Sequence, residues 1–378
     1  MYDLLKHSLI LAIISLLVFF NIFLFKNTFF GWLILIFYLF QTAHGGFGLL
    51  VKFFNFPDKL WRIRLLGMFL SLAGLGLWSA PLVLFGRLTS PIIALIFFVN
   101  GFVWLLLEYW AKRAQGATAL ELPEKDFYLE EGSGGPLGVL LYLVLVVLGF
   151  YLLSKNVGAG NIQTPWLVID GLYLYVFGLA TLLLGLLIFT RLQGKTILCL
   201  LVIHSFLLHS YLPLSHQLLY GADGWRHLSA ETQILREEKI TEAVYDAGIF
   251  LHTLNPGQFS YASFRGLTVI LSRLLDIGLL PLNVWFLPVA WSIIFPILLF
   301  EFVFNLGWKK KEALFFVFLS FLPFIWQAAG SFTLPVNFGF LLWLLGLLLI
   351  LKRLKEQRPG QALTLLFFGI LLSGGYIL

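Results

Sequence analysis

Long uninterrupted apolar runs, rich in Leu, Phe and Ile and without strict alternation, dominate this chain. The hydrocarbon core of a bilayer is about 30 Å thick, and an α-helix needs about 20 apolar residues to cross it. Because lipid cannot hydrogen-bond to the backbone, only helices and closed barrels cross a membrane, and continuous runs favour helices. We therefore predict an all-α polytopic transmembrane protein with about eleven spans, at 8–25, 29–51, 65–86, 91–110, 136–153, 167–190, 196–214, 284–306, 312–329, 334–351 and 361–378.

Two longer polar stretches interrupt these runs. The first, 111–135, is acidic and ends in a Gly- and Ser-rich segment typical of a linker. The second, 215–283, contains two segments with apolar residues on one helical face and charged residues on the other, Trp225–Lys239 and Tyr261–Ile277. We predict that both form amphipathic helices lying on the membrane surface, and that Asp223 caps the first of them.

The composition excludes a soluble globular protein. Hydrophobic residues make up 60% of the chain and charged residues 12%, whereas soluble domains are about half apolar and a quarter charged. No small-residue cleavage site follows the first apolar run, so we expect it to be a retained span and not a signal peptide. The single Cys199 falls inside a predicted span, so no intrachain disulfide is expected.

The distribution of basic residues predicts the orientation. If the N-terminus is cytoplasmic, 17 of the 25 Lys and Arg residues fall in cytoplasmic segments, including the run Lys309–Lys311. By the positive-inside rule, the 215–283 loop then lies on the outer face of a multi-pass plasma-membrane protein. The net charge of +6 thus reflects topology, and membrane lipids rather than nucleic acid are the expected surroundings.

We expect two domains. Residues 1–194 form a six-span membrane module of unknown function, and residues 195–378 form a second membrane module that contains the outer loop. The sequence ends inside an apolar run, at Ser373–Leu378, so we expect it to be truncated at its C-terminus.

Candidate chemistry is concentrated in the 215–283 loop, which holds seven of the 19 acidic residues. The segment Tyr220–His227 places the carboxylate of Asp223, the indole of Trp225, the guanidinium of Arg226 and the imidazole of His227 within five positions. A carboxylate can act as a general base, and a cation can stabilise an anionic leaving group. The simpler interpretations are that Asp223 is an ordinary helix cap and that Arg226 meets lipid phosphates.

The histidines near this loop do not predict a metal site. His204 and His209 are five positions apart, which places them about 140° apart around a helix. His209 and His216 are better aligned, but Pro213 is expected to end the helix between them. We therefore expect hydrogen-bonded histidines near the membrane interface and no cofactor; a divalent metal is possible but unsupported.

The residues around Asp223 resemble those of the C-type glycosyltransferase superfamily. Catalytic subunits of oligosaccharyltransferases carry Asp-Pro-Trp/Tyr-x-Asn/His in an outer loop, and the sequence here is Asp223-Gly-Trp225-Arg-His227. The resemblance extends over residues 196 to about 350, through Asn283–Pro288, Lys309–Lys311, Phe321–Pro323 and Gly330–Ser331. The chain differs from that family in having six predicted spans, within residues 1–194, before the module that carries the motif. It also lacks a carboxylate pair in its second outer loop, 331–337.

The resemblance implies transfer of a sugar, with inversion, from a polyprenyl-phosphate donor to an acceptor at the outer membrane face. It assigns Asp223 as the base or orienting group for the acceptor. The other residues it implies for substrate binding are Trp225, Arg226, His227, Arg265 and Arg273. The arginines would neutralise the phosphate, and Trp225 would stack on a sugar or anchor the loop. The alternative functions are a lipid or amphiphile transporter or flippase, and a non-catalytic membrane assembly protein.

Overall fold

The computed structural model describes residues 2–54, 61–114, 135–158, 164–216, 218–238, 261–322 and 325–356. Across these ranges the fold is all-helical, as predicted, and no strand is formed. The α-helices are α1 Tyr2–Phe20, α2 Thr28–Phe54, α3 Trp61–Phe85, α4 Ser90–Ala114, α5 Pro136–Lys155, α6 Gly171–Ile188, α7 Gly194–His209, α8 Tyr211–Ser215, α9 Ala222–Leu235, α10 Ala262–Leu275, α11 Leu279–Asn305, α12 Lys310–Leu319 and α13 Pro335–Glu356.

Seven helical segments in the described part of the chain are long and apolar enough to cross a bilayer, as expected of a membrane protein. They are Leu5–Phe25, Trp61–Phe85, Ser90–Tyr109, Pro136–Lys155, Gly171–Ile188, Leu279–Asn305 and Pro335–Lys352. Two further apolar helices, Thr28–Ala43 and Gly194–His209, are shorter. The predicted span 361–378 lies outside the described residues.

The predicted span 312–329 is not one continuous helix. Helix α12 ends at Leu319, and a separate 3₁₀ stretch runs from Ile325 to Ser331. The sequence has a proline at position 323, whose ring would clash with the carbonyl of residue 319 in a continuing helix. Leu319 is therefore a natural end for α12.

The chain divides into two compact units. Unit 1 comprises 1–120, 225–282 and 352–378, and unit 2 comprises 121–224 and 283–351. The domain boundary expected at 194/195 falls inside unit 2, because α5 and α6 pack together with α7. Two of the four unit boundaries, 224/225 and 282/283, fall within the predicted outer loop 215–283.

Unit 1 is built on a buried polar cluster among α2, α3 and α4. Asn100 Nδ2 donates to Tyr38 Oη at 2.7 Å and to the Ser71 carbonyl at 3.0 Å, while Ser71 Oγ donates to Thr42 Oγ1 at 2.7 Å. All four side chains are buried. Polar groups inside an apolar bundle are costly unless hydrogen-bonded, so this cluster fixes how the three helices meet.

Helix α10 is not a surface helix. Thirteen of its 14 residues are buried, including Arg265 at 5% exposure, and the helix packs against α3 and α2. The close approach depends on Gly266, where a Cβ would overlap Ser79 of α3. The prediction of a helix here is confirmed. Its polar face is covered by other helices of unit 1, because small residues allow α3 to pack closely against it.

Helix α9 forms where an amphipathic helix was predicted, yet Asp223 is not its cap. Gly221 has a φ of +86°, a left-handed conformation that glycine adopts readily, and α9 begins at the next residue, Ala222. Asp223 therefore lies in the first helical turn, where a negative charge interacts favourably with the helix dipole.

Two polar contacts mark the opposite ends of α6 in unit 2. At one end, Asp170 accepts a hydrogen bond from the Leu172 amide at 3.0 Å and thereby caps α6, and its carboxylate lies 3.7 Å from Lys155 Nζ. At the opposite end, Lys311 Nζ donates to the Thr190 carbonyl at 3.2 Å. The start of α12, with its Lys309–Lys311 run, thus lies beside the end of α6.

Candidate functional site

Unit 2 contains a cavity of about 270 Å³ at the end of α7 and α8. Three stretches far apart in the sequence form its wall: the chain from Leu212 to Gly224, the two residues Asn283 and Val284 of α11, and the segment Ser331–Leu334. The folding of unit 2 therefore brings Asp223 to one cavity with residues from two distant parts of the chain.

Local backbone contacts position the first stretch. The Ser215 carbonyl accepts a hydrogen bond from the Gly158 amide at 2.8 Å, and the His216 amide donates to the Leu212 carbonyl at 2.9 Å. These bonds tie the end of α8 to the segment after α5. Beyond them, Tyr220 packs edge-on to His216 and also contacts Phe332 across the cavity, with ring centroids 6.5 Å and 6.0 Å apart.

The segment Ser331–Leu334 is held from both sides. Asn337 Nδ2 donates to the Ala329 carbonyl at 2.9 Å and to the Phe332 carbonyl at 3.1 Å. Thr333 Oγ1 accepts from the Leu287 amide of α11 at 3.2 Å. These bonds connect the segment to α11 and to the start of α13, so this part of the wall is held in place.

Gly330 lets this segment approach two buried rings. A Cβ at this position would lie 2.5 Å from His209 Cε1 and 2.5 Å from Trp291 Cδ1. His209 Nδ1 also lies 3.3 Å from Ser331 Oγ. The ring of His209 is therefore packed against the backbone of residues 330 and 331.

The polar groups of the cavity differ in exposure. His216, Asn283, Ser331 and Thr333 are buried, with exposed fractions of 2–5%, whereas Asp223 is exposed. The remaining wall is mostly apolar. A concave apolar surface with a few convergent polar groups is typical of a small-molecule site, and the carboxylate lies on its accessible side.

The other predicted site residues belong to unit 1. Trp225 is 43% exposed, and the ring of His227 packs edge-on to Tyr261 with centroids 5.3 Å apart. Arg226, in α9, is exposed. No arginine or lysine lies in the described wall of the cavity, so the structure gathers there one predicted residue, Asp223, of the six.

Arg273 has a structural partner. Its guanidinium lies 3.2 Å from Glu237 Oε1 and donates to the Leu235 carbonyl at 2.6 Å, which joins the end of α9 to α10. Arg265 is buried within α10. Binding of a substrate phosphate by either arginine stays a prediction.

Most of the cavity wall is not predicted by the sequence. Asn283, Ser331 and Thr333 are ordinary polar residues near helix starts, and Tyr220 is marked only by its position at the start of the Asp223 segment. The resemblance did place residues 283 and 331 near the outer face, which was the one available signal. Within the described residues, no group of three or more His, Cys, Asp or Glu side chains is arranged to hold a metal ion.

The fold is that of an all-helical membrane protein, and unit 2 has a mostly apolar cavity with a few polar groups at the end of α7 and α8. Searches against protein-family models, curated proteins and solved structures find no match to the chain.

Proposed function

We propose that this protein is a membrane glycosyltransferase that moves a sugar from a polyprenyl-phosphate donor to an acceptor at the outer membrane face. The observation that carries the proposal is the cavity in unit 2. Asp223 lines it together with Asn283 and Ser331, which come from three of the five stretches that carry the superfamily resemblance. An ordinary surface helix would leave Asp223 without such surroundings.

The chemistry requires a base on the acceptor side. As the acceptor hydroxyl attacks the anomeric carbon, a new carbon–oxygen bond forms and the bond to the phosphate oxygen breaks. The hydroxyl proton passes to the Asp223 carboxylate, and the bonding electrons leave with the phosphate. An exposed carboxylate beside buried amide and hydroxyl groups suits the binding and deprotonation of a hydroxyl-bearing acceptor.

The leaving phosphate requires cations, which the resemblance supplies from Arg226, Arg265 and Arg273. Of these, Arg226 follows Asp223 by three positions in α9 and is exposed. It is the arginine that we favour for this role, because it is exposed and close to Asp223 in the chain, whereas Arg265 is buried.

The charge distribution of unit 2 supports the orientation. The Lys309–Lys311 run lies at the end of the unit marked by Lys311 and Thr190, whereas the cavity lies beyond the other end of α7. If the positive-inside rule holds, the lysines face the cytoplasm and the cavity opens on the outer face of a plasma membrane.

The purified protein should transfer sugar from the lipid donor in detergent solution, where no transport across a membrane can occur. We would incubate it in detergent with radiolabelled polyprenyl-phosphate sugars and a hydroxyl acceptor, and measure label that leaves the organic phase. The proposal predicts time-dependent transfer to the acceptor. Absence of transfer, together with movement of a fluorescent lipid across the bilayer of proteoliposomes, would identify a transporter instead.

A further inference from the structure

The volume of the cavity in unit 2 and the charge of its wall limit the class of ligand that it can bind. Its volume of about 270 Å³ lies just below the roughly 300–1,000 Å³ of sites for drug-sized ligands, so it suits a single small ring or headgroup. The described wall offers one carboxylate and no cation. An anionic phosphate placed beside Asp223 would meet like charge.

His216 is a polar group of this wall that the predicted chemistry does not use. Its side chain is 3% exposed, and among the described residues its buried Nδ1 has no hydrogen-bond partner. Its backbone is held by the bond to Leu212 and by the adjacent bridge to Gly158. His216 lines the cavity, so its imidazole is the group in this part of the wall to which a ligand hydroxyl would hydrogen-bond.

The surrounding groups suit the same kind of ligand. Ser331 and Asn283 present a hydroxyl and an amide, each buried, and both can donate as well as accept hydrogen bonds. The ring of Tyr220 stands edge-on to His216 and opposite Phe332, so an apolar face borders the polar groups. Groups that donate and accept next to aromatic faces match a polyhydroxyl ring with polar edges and less polar faces.

We propose that the cavity in unit 2 binds the uncharged, hydroxyl-bearing acceptor, with His216 as a hydrogen-bonding residue that positions it, while the phosphate is bound elsewhere. This inference rests on the proposed function, because it assigns the cavity to the acceptor side of that reaction. His216 holds the acceptor ring and Asp223, on the exposed side, takes the proton of the attacking hydroxyl.

The test measures binding without turnover. Single-cysteine variants of the full chain are made in a Cys199→Ser background and placed in phosphatidylcholine nanodiscs. Val284→Cys reports the cavity wall, and Asn156→Cys, an exposed position after α5, is the matched control. Labelling by a methanethiosulfonate reagent is followed with octyl β-glucoside or octyl phosphate, each below its micelle concentration.

Octyl β-glucoside is expected to slow labelling of the Val284→Cys variant in a saturable manner and to leave the Asn156→Cys variant unchanged. Octyl phosphate, with the same alkyl chain, should not protect. Adding His216→Phe keeps a ring of similar size but removes both nitrogens, and should weaken protection about fivefold, the value of one neutral hydrogen bond. If the phenylalanine variant does not assemble, Ser331→Ala serves the same purpose with a smaller change.

Equal protection by the two probes, protection by octyl phosphate alone, or no protection would overturn the inference. So would unchanged glucoside protection in the His216→Phe or Ser331→Ala background. Sugar transfer by a protein whose cavity gives no protection would overturn this inference and leave the proposed function intact. Glucoside protection in a protein that transfers no sugar would overturn the proposed function and leave a sugar-binding cavity.

Discussion

Gly330→Ala should destabilise the protein although the change adds only one methyl group. The glycine belongs to the 3₁₀ stretch Ile325–Ser331, next to the cavity wall. The added Cβ would lie 2.5 Å from carbon atoms of both His209 and Trp291. Optimal carbon–carbon separation is about 3.5–4.0 Å, so the methyl group overlaps each ring by about 1 Å.

The rings cannot give way easily. His209 is fully buried and Trp291 is 1% exposed, and Trp291 is stacked on Phe295 with centroids 5.0 Å apart. Overpacking of a core of this kind costs about 1–3 kcal/mol. The backbone of residues 330 and 331 would have to move, which also shifts Ser331 in the cavity wall.

Gly178→Ala is the matched control in the same unit. Gly178 lies inside α6, and a Cβ there would meet nothing within 4 Å. Replacing a glycine in a helix interior by alanine stabilises by about 0.5–1 kcal/mol. The two variants carry the same chemical change, so they are expected to alter stability in opposite directions.

The assay is thermal unfolding of both purified variants in one detergent, followed by tryptophan fluorescence. A 1 kcal/mol change shifts the melting temperature by about 2–4 °C for 150–250 residues. Gly330→Ala should melt several degrees below wild type, and Gly178→Ala at or slightly above it. Equal melting of the two variants would refute the packing of the 330–331 backbone against His209 and Trp291.

Two further predictions concern helix packing and topology. Gly266→Ala should lower the melting temperature in the same assay, because its Cβ would overlap Ser79 Oγ, and Ser79→Gly should restore much of the loss; additive effects would contradict direct contact. In a Cys199→Ser background, an impermeant thiol reagent applied to intact cells should label Gly224→Cys and not Lys310→Cys, because the lysine run is expected in the cytoplasm. Labelling of the second variant alone would reverse the orientation.

Sequence patterns predicted the helices well where the apolar run itself sets the length. The spans expected at 136–153 and 284–306 appear as Pro136–Lys155 and Leu279–Asn305. The prediction of one continuous span at 312–329 was wrong because hydropathy is averaged over many residues, whereas a single proline, here Pro323, is enough to interrupt a helix. Periodicity thus locates apolar segments better than it locates breaks within them.

Burial of α10 could not be read from its own sequence. The amphipathic pattern of Ala262–Leu275 is the same for a helix on a membrane and for a helix packed in a bundle. The contact between Gly266 and Ser79 decides between them, and it joins residues far apart in the chain. The cavity could not be predicted for the same reason. Asp223 belongs to a recognisable motif, whereas Asn283 and Thr333 join it in the cavity wall only through tertiary structure.

The central claim is that the Asp223 carboxylate acts in sugar transfer. Asp223→Asn keeps the size of the side chain and removes its charge and basicity, and in the first turn of α9 the lost dipole interaction is worth only about 0.3–1 kcal/mol. We predict normal folding and a roughly 10²–10⁴-fold lower rate of transfer from a polyprenyl-phosphate sugar. Transfer by the asparagine variant at close to the wild-type rate would contradict the claim.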